Sequence, residues 1–108
     1  MENRPPQDLC ALYCVLTSAN HDAFAQELFK VAYYALAGAM QCALELKDKD
    51  KMAEIGCLAH DQLLELQAYF PDEVFGSKSN ELVLYRSLVR LVDVRGFLLG
   101  MEPTKQID

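Results

Sequence analysis

Cys10 and Cys14 stand four residues apart, and Cys57 and His60 stand three apart. On helices, each spacing puts its two side chains on one face. Three thiolates and one imidazole make a zinc ligand set if the two pairs meet in space. Structural zinc sites, however, usually draw on tighter loops, whereas "CALYC" sits within an apolar helical run. Cysteine is also an ordinary core filler, so buried thiols are the expectation, with Cys42 on an apolar arc. A carboxylate-bridged di-iron centre needs Glu-x-x-His on two helices. Ser18 and Cys57 occupy the glutamate positions before His21 and His60, so that pattern is missing. Asp61 follows His60 directly, but adjacent helical positions diverge by about 100° and form no pair. No serine has a histidine and an acid at useful spacing, and no glycine-rich loop follows a strand. The residues therefore predict no catalytic constellation and no cofactor. The metal set Cys10, Cys14, Cys57 and His60, or a pocket lined by alanines, remains the alternative to a non-catalytic role.

Any such chemistry would have to be positioned by helices. The apolar periodicity predicts an all-α, antiparallel bundle of about four helices, over approximately 6–17, 21–46, 51–70 and 80–99. Pro6 suits a first turn, and Asp8 adds negative charge near that helix's N-terminus. "TSANHD" is read as a break, with Asn20 or Ser18 capping the second helix. "KDKDK" is read as a tight turn in which Asp48 or Asp50 caps the third. Pro71 ends the third helix, and Val74 and Phe75 are expected to pin the following connection to the core. Ser77 or Ser79 caps the fourth helix, and Gly100 is its expected C-cap. The whole chain is read as one helical domain with a polar, flexible tail from about residue 100.

The stretch "FKVAYYALAGAMQCALEL" raises the question of partners. On a helical wheel Glu27, Lys30, Tyr34, Gln41 and Glu45 make one narrow polar stripe, and nearly everything else is apolar or small. Ala32, Ala35, Ala39 and Ala43 form a low surface that lets a neighbouring helix approach closely. Phe24, Leu28, Val31, Met40 and Leu46 are expected to fill the wider gaps. The third helix has a seam of Met52, Ile55, Ala59, Leu63, Leu66 and Phe70, and a second stripe that includes Cys57, His60 and Leu64. The fourth has a core face of Leu82, Tyr85, Leu88, Val89, Val92 and Leu99. It also carries Val83, Leu84, Leu91, Val94, Phe97 and Leu98 around the remainder, with Arg90 and Asp93 spaced to pair. A bundle helix needs one apolar stripe, and three of these helices show more than one. The excess predicts contact with a second chain. The candidate interface residues are Tyr33, Tyr34, His60, Leu64, Val83, Leu84, Leu91, Val94, Phe97 and Leu98.

Composition narrows the field further. The chain has 108 residues with 52% hydrophobic and 24% charged, which suits a globular domain. Acids outnumber lysine and arginine 16 to 10, and there is no concentrated basic patch, which argues against nucleic acid. The run from Lys30 to Glu45, interrupted by Gln41, is shorter than the roughly twenty residues of a membrane span. The acidic start "MENRPPQD" is the wrong sign for a secretion signal. A cytoplasmic protein with free thiols is expected. The function expected is a non-catalytic module for homo-oligomerisation or for binding another protein, with a homodimer the simplest form.

Overall fold

A computed structural model of the protein describes residues 7–69 and 79–101. It is an all-α antiparallel bundle of four helices, α1 (Gln7–Ala25), α2 (Phe29–Leu46), α3 (Lys49–Tyr69) and α4 (Ser79–Met101). The expectations for Pro6, for Phe70, for the connection with Val74 and Phe75, for the Ser77 cap and for the C-terminal tail lie outside the described residues.

The first turn falls later than the sequence indicates. "TSANHD" does not break the chain, and α1 continues through it to Ala25. The reason is where the polar side chains go. Thr17 Oγ1 donates back to the Cys14 carbonyl at 3.0 Å within the helix. Asn20 turns away from its own backbone, so it offers the chain no competing turn. The break comes at Glu27, which adopts φ 64°. Glu27 N–H donates to Phe24 O at 3.0 Å and Leu28 N–H to Ala23 O at 2.8 Å, which satisfies two terminal carbonyls of α1.

The α2–α3 turn repeats the same device. Lys47 is left-handed at φ 54°, and Lys47 and Asp48 N–H groups bond to Leu44 O at 3.0 Å and Ala43 O at 3.1 Å. Asp48 then caps α3, accepting from Lys51 N–H at 3.0 Å on Oδ1. Of the two caps expected, Asp48 is the one used. Gly100 does not end α4 as a left-handed cap, because no described glycine has positive φ and the helix runs on to Met101.

Helix α2 packs against all three others, while α3 and α4 pair with each other. Its alanines explain this central place. Ala32, Ala39 and Ala43 are fully buried and Ala35 nearly so. On the α1 side Leu16 lies across Gly38, so close that a Cβ there would meet Leu16 Cδ1 at 3.2 Å. The core adds Leu36, Ile55, Leu66, Tyr85, Leu88 and Val92. Leu28 and Val31 do not fill gaps as expected. Leu28 lies in the α1–α2 turn, and both side chains are about half exposed, at 48% and 55%.

Two polar clasps fasten α1 to α3, which run parallel. Tyr13, at one end, is buried and donates its hydroxyl to Glu54 Oε1 at 2.6 Å. Burial and the Glu54 carboxylate both hold its phenol well above the ordinary tyrosine range. Farther along, Asn20 and Gln62 exchange amide hydrogen bonds. Gln62 Nε2 donates to Asn20 Oδ1 at 2.6 Å, and Asn20 Nδ2 donates to Gln62 Oε1 at 3.1 Å. Asn20 Nδ2 also reaches the Ala32 carbonyl of α2 at 2.8 Å. The Tyr85 hydroxyl of α4 donates to Gln62 Oε1 at 2.7 Å. One buried network thus touches all four helices.

Candidate interaction surface

The surface is clearest on α4. At 100° per residue, Leu82, Tyr85, Leu88, Val89, Val92 and Leu99 occupy an arc of about 120°, and all six are buried. Val83, Leu91, Val94, Phe97, Leu98 and Met101 occupy a second arc of about 120°, centred opposite the first. Their side chains are exposed by 38% to 67%. A helix on the rim of a bundle needs only the first arc. The second is an apolar strip that faces no described element.

Arginines border the strip. By the same helical geometry Arg86 falls just outside one edge and Arg95 just outside the other, while Arg90 lies just inside the first edge and Ser87 within the arc. All three arginines are exposed. Among the described residues none of them enters an ion pair. Asp93 and Glu81 are the only acids on α4. Asp93 does not pair with Arg90, as the spacing allowed. Instead Asp93 Oδ1 lies 3.2 Å from His60 Nε2 of α3. Glu81 falls on the core-side arc.

The strip continues towards α3. Phe97 also lines an open groove of about 750 Å³ between α3 and α4. Small residues make its walls low: Ala53, Gly56 and Cys57 on α3, Gly96 and Gly100 on α4. A Cβ at Gly96 or Gly100 would meet nothing within 4 Å. His60 reaches across this groove to Asp93. Leu64, one turn farther along the same side of α3, is 65% exposed.

The ten candidate interface residues therefore divide. Val83, Leu91, Val94, Phe97 and Leu98 share the α4 strip, while Leu84 is half-buried at its margin. His60 and Leu64 are exposed on the adjoining side of α3. Tyr34, at 62% exposed, is on α2. Tyr33 is half-buried, its ring 4.9 Å from Tyr34 and 6.1 Å from Tyr85, and it belongs to the internal aromatic packing. Met101, expected in the tail, instead joins the strip as the last residue of α4. Its helical period with Val94 and Leu98 was the available signal.

The alternative chemistry finds no assembled site. No three His, Cys, Asp or Glu side chains among the described residues gather closely enough to hold a metal ion. Cys10, Cys14, Cys57 and His60 are thus not brought together. His60 is engaged with α4. Cys10, Cys14 and Cys57 are exposed free thiols, and only Cys42 is buried as expected. Burial holds the Cys42 thiol above its usual range, so it is a poor nucleophile. Ala32, Ala35, Ala39 and Ala43 of α2 are buried against their neighbours. No described helix is long and apolar enough to cross a membrane. Comparison of the chain with protein-family models, curated proteins and solved structures gives no match.

Proposed function

We propose that the protein is a small, non-catalytic helical module that binds another protein through the outer face of α4. One observation carries the reading: α4 has a second apolar strip, diametrically opposite the one it buries. Each exposed strip residue forgoes about 25 cal/mol for every Å² left in water, and a docked partner recovers that. Contiguous exposed apolar patches mark contact sites. Three exposed thiols without a disulfide support a reducing, cytoplasmic setting.

Sedimentation velocity together with binding of an apolar fluorescent dye tests the reading on the wild type and on the double variant V94D/L98D. The expected wild type binds dye at the α4 face. The variant should keep its helical circular dichroism and melting temperature but lose the dye. A wild type that dimerises and is made monomeric by V94D/L98D would assign the strip to self-association. A monomer that binds no dye, or a variant that fails to fold, would overturn the reading.

A further inference from the structure

Resting on that reading, we infer that the partner's docking element is an acidic amphipathic helix, with an apolar strip edged by aspartate or glutamate. The protein is acidic overall, with a formal net charge of -6. The α4 strip is nonetheless edged by bases. Val83, Leu91, Val94, Leu98 and Met101 lie between Arg86 and Arg90 on one edge and Arg95 on the other. On the α3 side two acids line the adjoining groove: Asp93, which lies 3.2 Å from His60 Nε2, and Asp61, with Lys49 in the same groove. Each guanidinium presents five donors that suit a carboxylate in a two-pronged pair. Rim charges of this kind choose the partner and its register more than they set the total affinity.

The same charges disfavour a second copy of this chain. An antiparallel symmetric pairing of α4 with itself brings each edge against its own equivalent. A parallel pairing brings the Arg86–Arg90 edge against Arg95. Both arrangements set arginine against arginine, and like charges across an interface reject the partner. An acidic helix resolves the conflict. Such a helix lies along the α4 strip, since Asp61 and Asp93 in the adjoining groove would repel its acids. An anionic lipid surface also meets arginine-edged apolar strips, but the acidic remainder of this small domain repels it.

The test is a displayed library of helical peptides. Each carries a fixed leucine strip, and its flanking positions are randomised among Glu, Gln and Lys. Selection against the full chain at low salt should enrich Glu at least tenfold over Lys at the flanks. Raising the salt to 0.5 M should erase that preference, because exposed pairs are screened. Selection against R86E/R90E should reverse it, favouring Lys on the matching edge. V94D/L98D should bind none of the selected peptides. Binders with Gln or Lys flanks from the wild type would overturn the acidic partner while leaving the α4 interface standing. A selection that yields no peptide sensitive to V94D/L98D would overturn the interface itself. Stronger binding of the chain to phosphatidylserine vesicles than to neutral ones, lost in R86E/R90E, would replace the acidic helix with a membrane surface.

Discussion

Asn20 shows how a residue's type can leave its role open. Asparagine before a helical run is a strong cap signal, yet here it is fully buried and bonded to α2 and α3. The two uses differ only in what lies across from it, and that information is not local. Replacing Asn20 with alanine strips Gln62 Nε2 of its acceptor inside the core, while Gln62 Oε1 keeps the Tyr85 hydroxyl. An unsatisfied buried polar group costs about 1 to 3 kcal/mol, so N20A should lose at least that in urea unfolding. Tyr85→Phe removes one donor while Gln62 Oε1 keeps its bond from Asn20, so a smaller loss of about 0.5 to 1.5 kcal/mol is expected. At the next turn a capping aspartate was legible, because the charged run offers Asp48 or Asp50, though not which of the two. The Lys51 N–H bond holds the Asp48 carboxyl below the ordinary range. Its contribution is therefore full above the unfolded aspartate pKa, near about 4, and is lost as pH falls through the lower folded value. D48A should cost about 0.5 to 2 kcal/mol at pH 7, and the gap between D48A and wild type should close in acid melts.

At the level of the helices, the misplaced first turn has the same kind of cause. A left-handed residue ends α1 and another ends α2, and in sequence a glycine normally announces such a position. Here Glu27 and Lys47 fill the two places, so the pattern carried no punctuation at the first and only a charge run at the second. The left-handed conformation costs an ordinary residue roughly 1 to 2 kcal/mol. K47G should relieve part of this, and thermal unfolding should show a net gain of about 0.5 to 1 kcal/mol after the flexibility of glycine in the unfolded chain is set against it. The helix-interior glycines are expected to split. Gly96 faces open space, so G96A should stabilise by about 0.5 to 1 kcal/mol from helix propensity alone. Gly38 lies under Leu16 at 3.2 Å, so G38A should show less of that gain or a loss. The alanine face of α2 was plain in the sequence, because small residues at helical spacing have few other uses. What they pack against was not, since parallel α1 and α3 meet only through side chains as distant in sequence as Tyr13 and Glu54.

Over the whole molecule, the surplus of apolar surface divides between burial and exposure, and periodicity alone could not apportion it. On α3 the second stripe stays open, as Leu64 shows. On α2 the apparent all-round greasiness is largely absorbed, because α1, α3 and α4 each claim part of its circumference. On α4 the two apolar arcs look equivalent in sequence, with leucine and valine on both, and only the packing against α2 and α3 distinguishes them. Stability should therefore respond very differently to the same truncation on opposite sides of one helix. Leu88, on the inner arc, is 2% exposed and Leu98, on the outer, is 53% exposed. L88A should lower the unfolding free energy by about 2 to 5 kcal/mol, the range for emptying a packed core site. L98A should change it by no more than about 0.5 kcal/mol, as surface substitutions do. Urea titrations followed by circular dichroism measure both. Equal losses would mean that Leu98 is covered when the chain is folded, and the outer arc would then belong to the core of an assembly of copies. A large difference leaves that arc accessible in the folded chain, as the proposed docking role requires.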